Sequence, residues 1–152
     1  MTTRINTLSH MDTLKPLIGF AMAAQQGLDP AIVKLVEIRA SQLNGCAVCL
    51  AMHTKEARAA GESEERIYML DAHRESELYS DRERAALEWT EALTRLAPGG
   101  ASYETYANLK AHFSEDEQVK LTLAIGAINA FNRLNVGFRV SPSVLKGLEK
   151  AA

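Results

Sequence analysis

The chain has only two cysteines, Cys46 and Cys49, and His53 follows four residues after the second of them. Residues three or four apart on a helix lie on the same face, with Cβ atoms about 5–6 Å apart. This spacing therefore places both sulfur atoms and the imidazole along one side of a helix. Two thiols in this arrangement can close a disulfide, and a neighbouring base can promote formation of the thiolate. The pattern indicates thiol redox chemistry.

The residues just before Cys46 predict how its thiol becomes reactive. Asn44-Gly45 ends one helix, so we expect Cys46 in the first turn of the next. Unpaired N–H groups and the helix dipole favour negative charge at that end. An unperturbed cysteine is only about 3% thiolate at pH 7, whereas a pKa about two units lower makes it mostly thiolate. Glu37, nine residues before Cys46, is a candidate proton relay because the chain reversal can turn it toward the sulfur atoms.

Other interpretations of these residues stay open at this point. A Cys-x-x-Cys pair can arise by chance or form half of a zinc site. However, structural zinc needs four ligands and catalytic zinc three plus water, and the sequence has no second such pair. His53 and Glu37, taken singly, also fit ordinary helix residues that face solvent. The combination of two cysteines and a histidine favours a redox pair.

Length and composition limit the class of protein. The 152 residues suffice for one domain, residues 1–152, with its own core. A net charge of −2 with 24% charged residues gives no basic stripe for nucleic acid. The N-terminus lacks the apolar segment of a signal peptide, and no apolar run is long enough to span a membrane. We therefore expect a cytoplasmic protein without nucleic-acid or membrane partners, where a lone cysteine pair is more often catalytic or metal-binding than structural.

The positions of helix-capping residues, and the lack of alternating strand patterns, predict an all-α fold of about six to eight helices. The run from Val119 to Val136 is apolar on most sides, so it forms either the central helix or an oligomer interface. A short helix is expected in the last residues. The other expected helices run approximately over Asp12–Gln26, Pro30–Leu43, Cys46–Gly61, Glu64–His73, from the capping box Ser80–Glu83 to Leu93, over Tyr103–His112, and from the capping box Ser114–Glu117 to Val136.

The stretch from Leu35 to Arg58, which contains Asn-Gly-Cys-Ala-Val-Cys-Leu-Ala-Met-His, resembles the core of the alkylhydroperoxidase AhpD-like, carboxymuconolactone decarboxylase superfamily. Tyr79–Leu87 and Ala127–Asn135 resemble its single-domain members, so the likeness extends from about Thr13 to Arg139. The resemblance implies an all-helical domain that assembles into homo-trimers or homo-hexamers. It also implies a thiol peroxidase that reduces hydrogen peroxide or organic hydroperoxides and is regenerated by a thiol or dithiol. We expect no cofactor and no metal.

The resemblance also implies roles for the residues that match the family motif. Cys49 attacks the peroxide, Cys46 resolves the resulting sulfenic acid, and His53 and Glu37 move protons. Lactone decarboxylases of the superfamily lack the cysteine pair, so the resemblance does not imply decarboxylase activity.

Two positions depart from the pattern of the well-studied peroxidases. Val48 stands where they carry a histidine, and Lys34 stands where they carry their glutamate. A disulfide reductase, or a redox adaptor or sensor with little peroxide activity, is therefore the alternative function. A non-catalytic, oligomeric helical binding protein with a passive redox-sensing cysteine pair is a third.

Overall fold

The computed structural model describes residues 2–145, and this range is all-helical, without a strand. The all-α prediction is thus confirmed. Residues 143–145 are helical, and the other residues for which the short C-terminal helix was expected lie outside the described range. The elements are a 3₁₀ helix at Thr7–His10, α1 at Met11–Gln25, α2 at Pro30–Asn44, α3 at Ala47–Ala59, α4 at Glu64–Met69 with a 3₁₀ extension at Leu70–Ala72, α5 at Asp81–Thr94, α6 at Tyr103–His112 and α7 at Glu115–Gly137.

The helix starts agree with the capping residues in the sequence. In α5 and α7 the N-cap serine accepts a hydrogen bond from the third helical N–H, and the glutamate at that position accepts one from the serine N–H. One start differs from expectation: α3 begins at Ala47, so Cys46 is its N-cap and not part of its first turn. The difference arises because α2 continues through Asn44 and only Gly45 separates it from Cys46.

Helices α2 and α7 form the centre of the fold. Helix α2 packs against α3, α5 and α7, while α7 contacts α1, α2, α3, α5 and α6. The long apolar run therefore belongs to a central helix of the fold. The largest core cluster joins these helices through fully buried side chains such as Val36, Ala85, Leu121 and Ile125.

A buried chain of amide and hydroxyl groups fixes the C-terminal half of α2 against α7. Asn44 Nδ2 donates to the side-chain oxygens of Asn129 and Asn132, both at 2.9 Å. Asn132, which is 1% exposed, donates to Ser41 Oγ at 3.1 Å. A buried polar group without a partner is costly, so these bonds disfavour any sliding of one helix along the other. They set the distance between the turn that carries the cysteines and the last turn of α7.

Helix α1 is less buried than its apolar pattern suggests. Ala24 is its only buried residue, and Met22 is 66% exposed. Ala24 is the side chain of α1 that enters the core, and several of the other apolar side chains line a cavity between α1 and α7. Assembly into trimers or hexamers stays a prediction. Within residues 2–145, every helix is too short or too polar to cross a bilayer.

Candidate functional site

Cys46 and Cys49 are joined by a disulfide, with their Cα atoms 5.4 Å apart. Gly45, at the end of α2, has a φ of 65°, a left-handed conformation that glycine adopts readily and that reverses the chain into α3. Cys46 caps α3, and its Sγ accepts a hydrogen bond from the Cys49 N–H at 3.4 Å. Both cysteines are 1% exposed. The turn thus places the sulfur pair beneath the surface, at a helix end that favours a sulfur anion.

Asn135, in the last turn of α7, contacts the second sulfur atom. Its Nδ2 donates a hydrogen bond to Cys49 Sγ at 3.3 Å. An amide donor at this position can stabilise negative charge on the sulfur of a thiolate. The two residues are 86 positions apart, so no local spacing pattern indicates this contact.

His53 is buried one helical turn after Cys49 and is held by two carboxylates. Its Nδ1 lies 3.1 Å from Glu37 Oε2 and 3.3 Å from Glu56 Oε2. The Lys34 ammonium contacts the same two carboxylates, at 3.0 Å and 2.7 Å respectively. With Nδ1 occupied by the carboxylates, Nε2 is the imidazole nitrogen that can exchange a proton with a substrate.

The charges of this cluster stabilise the ionised form of its members. Burial alone would lower the pKa of His53, but the hydrogen bonds and charges of Glu37 and Glu56 outweigh it and raise the pKa above 6.5. Burial likewise acts to raise the pKa of Glu37, and His53 and Lys34 overcome this and lower it. The hydrogen bond from His53, with that from Lys34, lowers the pKa of Glu56 to about 2. The two carboxylates therefore favour the protonated form of the imidazole.

Cys49, His53 and Glu37 line one cavity of about 340 Å³ between α1, α3 and α7. Most of the rest of its wall is hydrocarbon, which comes mainly from α1, with smaller contributions from α3, α7 and residues 140–145. The apolar side chains of the wall include Leu8, Leu14, Ile18, Ala21, Ile128 and Phe131. The combination of one sulfur atom, one imidazolium and an apolar chamber suits a small apolar substrate with a reactive polar end.

Glu37, His53 and Glu56 also offer three ligand atoms within 4.8 Å of one another, a geometry that could hold a metal ion. The ammonium of Lys34 already contacts both carboxylates and balances their charge. A metal would have to displace this lysine and the imidazole proton. The arrangement therefore favours proton exchange.

The structure brings all four residues singled out from the sequence into one region. Cys46 and Cys49 are bonded, and His53 follows on the same helix. Glu37 binds the imidazole instead of turning directly toward a sulfur atom. Neither Glu56 nor Asn135 was predicted from the sequence as a site residue. The position of Glu56, three residues after His53 on the same helix face, is a signal by which it could have been identified.

The sequence and the fold are similar to those of known proteins. The sequence profile of the carboxymuconolactone decarboxylase family matches residues 11–92. YdfG, an uncharacterised protein of Bacillus subtilis, is 41% identical over 112 residues, which are 74% of this chain and 76% of YdfG.

Two crystal structures have similar folds. One is of an Agrobacterium tumefaciens protein of unknown function, described as a candidate AhpD antioxidant defence protein. It has a TM-score of 0.87 and 43% identity over 92% of this chain and 97% of its own. The other is of an uncharacterised peroxidase-related protein from Silicibacter, with a TM-score of 0.74 at 20% identity over 89% of this chain and 71% of its own, and it supports the fold alone. The profile match, the identity to YdfG and the helical architecture show that this chain belongs to the carboxymuconolactone decarboxylase family and has the AhpD-like fold.

Proposed function

We propose that this protein is a thiol-dependent peroxidase that reduces hydroperoxides through a dithiol–disulfide cycle of Cys46 and Cys49. The observation that carries the proposal is the shared cavity of Cys49 and His53. It joins a sulfur nucleophile, a proton donor and an apolar chamber. The AhpD-like fold and the disulfide between the two cysteines support the same chemistry.

The cycle starts with the Cys49 thiolate, which attacks one oxygen of the hydroperoxide. The O–O bond breaks, Cys49 becomes a sulfenic acid, and the departing alkoxide takes a proton from the His53 imidazolium to leave as an alcohol. The Cys46 thiol then attacks the sulfenic sulfur, which forms the disulfide and releases water. An external thiol or dithiol returns two electrons and two protons. We also propose a cytoplasmic location, where such reductants are present.

The cavity supports organic hydroperoxides with an alkyl or aryl tail as the preferred substrates. Each buried methylene group contributes about 0.8 kcal/mol of binding free energy. Hydrogen peroxide has no group that could use the apolar wall. We therefore propose that the tail lies against α1 and Ile128, with the peroxide group toward Cys49.

Filling the cavity should separate the two kinds of substrate. We expect Ala21→Phe to lower kcat/KM for cumene hydroperoxide roughly tenfold, because the new ring displaces about two methylene equivalents at about 0.8 kcal/mol each. The kcat/KM of this variant for hydrogen peroxide should change less than about twofold. Ala23→Phe is the matched control, since Ala23 lies on the same helix but is exposed and outside the cavity wall. Equal losses for both peroxides in Ala21→Phe would contradict the tail site.

The proposed function is tested by the mass of the reduced protein after reaction with one equivalent of cumene hydroperoxide. We expect the mass to fall by two hydrogens, with a Cys46–Cys49 peptide in the digest and an equal amount of cumyl alcohol. A protein that stays reduced, with the peroxide unconsumed, would rule out the peroxidase. Boiled protein and iodoacetamide-treated protein give the background rate.

Disulfide reduction is the second candidate function, and the presence of Val48 in the cavity wall favours it. Val48 lines the cavity beside Cys49 and takes the place of a histidine in the well-studied peroxidases. Without that group, the O–O bond has one fewer proton donor nearby. Stopped-flow oxidation of the reduced protein separates the two functions, because a reductase reacts faster with a small disulfide than with any hydroperoxide.

A further inference from the structure

The two cysteines of the disulfide line different cavities. Cys49 lines the apolar cavity described above, whereas Cys46 lines a second cavity of about 410 Å³. Neither cysteine lines the cavity of the other. Val48, Asn135 and Val140 line both cavities and so form the partition between them.

This separation determines which sulfur an external thiol can attack from each side. A thiolate displaces one sulfur of a disulfide from the side opposite to the bond that breaks. A nucleophile in the second cavity lies next to Cys46, and attack on that sulfur makes Cys49 the leaving group. The hydrogen bond from Asn135 Nδ2 to Cys49 Sγ, 3.3 Å long, would stabilise the thiolate that departs.

The charge of the second cavity differs from that of the first. Within the part of the chain that the structure describes, Arg139 is the one charged side chain that lines it, and no carboxylate does. Arg139 is exposed, and none of the ion pairs recorded for residues 2–145 involves it. The remaining polar side chains of the wall are Asn135 and Ser141. A guanidinium without an ion pair to the described residues, in the same cavity wall as Cys46, favours an anionic ligand, most readily a carboxylate.

We propose that the second cavity is the reductant site and takes a small thiol that carries a carboxylate. The proposal rests on the proposed function for the origin of the disulfide. The thiolate bonds to Cys46 Sγ, the Cys46–Cys49 bond breaks, and Cys49 leaves as a thiolate. A second thiolate then attacks the sulfur of the bound reductant, which releases the small disulfide and the Cys46 thiolate. Two thiols supply two electrons and lose two protons, and the hydroperoxide cavity stays free throughout.

The first experiment measures only the reduction of protein that already carries the disulfide, with no peroxide present. The probes are 3-mercaptopropionate, which is anionic, 2-mercaptoethanol, which is neutral, and cysteamine, which is cationic. We expect Arg139→Asn to slow reduction by 3-mercaptopropionate about two- to fivefold, the range for one exposed ion pair. Reduction by 2-mercaptoethanol should not change, and reduction by cysteamine should rise.

The substitutions are chosen to leave the backbone undisturbed. Arg139 has a φ of 53°, and asparagine tolerates this left-handed region better than most residues. Arg139→Lys should keep most of the preference for the anionic thiol. Arg133→Gln is the control, because it removes the same charge from α7 at a residue outside both cavity walls. The preference should also weaken at high salt.

A second experiment identifies the sulfur that the small thiol reaches. It follows the reverse of the second reduction step: single-cysteine variants react with 3,3′-dithiodipropionate, and mass spectrometry measures mixed-disulfide formation. We expect Cys49→Ser, which keeps Cys46, to react faster than Cys46→Ser, and we expect this rate to fall when Arg139 is also replaced by Asn. Faster reaction at Cys49 would overturn the proposal. An equal effect of Arg133→Gln, or an equal effect on the neutral thiol, would do the same. Because no peroxide is used, these outcomes do not depend on whether the peroxidase reaction occurs.

Discussion

Cys49→Ser is expected to abolish turnover of cumene hydroperoxide, with a loss on the order of 10³-fold or more, as when a catalytic nucleophile is removed. The serine hydroxyl does not ionise near neutral pH, so no anion is available to attack the O–O bond. Cys46→Ser should still reduce one equivalent of peroxide and then remain as a sulfenic acid at Cys49 when no external thiol is present. Coupled peroxide consumption with dithiothreitol measures the loss in Cys49→Ser. For Cys46→Ser the dithiol is removed beforehand, because an added thiol would itself condense with the sulfenic acid.

The reduced wild-type protein is the control for this pair of variants, because it also lacks the disulfide. Dimedone, which labels sulfenic acids, should modify Cys49 in Cys46→Ser after one equivalent of peroxide. Labelling of Cys46 in Cys49→Ser at the same rate would reverse the assigned roles. Full turnover in both variants would exclude the dithiol cycle altogether.

The assignment of the nucleophile depends on two physical effects that favour different cysteines. The helix N-terminus favours the Cys46 thiolate, since its Sγ accepts the Cys49 N–H. Access and the Asn135 hydrogen bond favour Cys49, since this residue lines the cavity that also contains His53. No histidine is among the described residues that line the cavity of Cys46. A hydroperoxide in the apolar cavity therefore meets both Cys49 and the proton donor, so access decides. Cys46 then suits the resolving step, in which its thiol attacks the sulfenic acid.

Much of the fold follows from local sequence signals. The capping boxes at Ser80 and Ser114 set the starts of α5 and α7, and Gly61 ends α3 with a φ of 95°. These features depend on residues within a few positions of each other, so spacing reveals them. The apolar residues of α1 show the limit of such signals. Their helical spacing fits a buried face, but the same spacing also suits a helix that lines an apolar cavity, as Ile18 and Ala21 do.

The site was predictable where its residues share one helix and unpredictable where they come from different ones. Cys46, Cys49 and His53 lie within one turn and helix, so their spacing is informative. The approach of Glu37 to the site depends on the chain reversal at Gly45, and in the structure its carboxylate contacts the imidazole. Asn135 depends on the packing of α7 against α2, which no local pattern encodes. The network of buried amides that fixes this packing became visible only in the structure.

His53 and Glu37 form the proposed proton relay. His53→Gln should lower kcat/KM for cumene hydroperoxide about 10²–10⁴-fold, the usual contribution of a general acid. Glu37→Gln should have a smaller effect at pH 6 and a larger one at pH 8. The Glu37 carboxylate helps to keep the pKa of His53 above 6.5, so its loss moves the alkaline limb of the activity profile to lower pH. The profile of kcat/KM between pH 5 and 9 measures this shift.

Glu56→Gln is the matched control for Glu37→Gln, and stability gives an independent measurement. Glu56 also contacts His53, but its side chain is 43% exposed, against 9% for Glu37, so solvent screens it more and its removal should shift the profile less.

A histidine pKa that is raised in the folded protein stabilises the fold. This stabilisation is fully present below the unfolded pKa of about 6.5 and is lost as the pH rises through the folded pKa. Glu37→Gln should therefore cost more unfolding free energy at pH 6 than at pH 9 in urea titrations. Activity profiles that superimpose for wild type and Glu37→Gln would show that the carboxylate does not act through the imidazole.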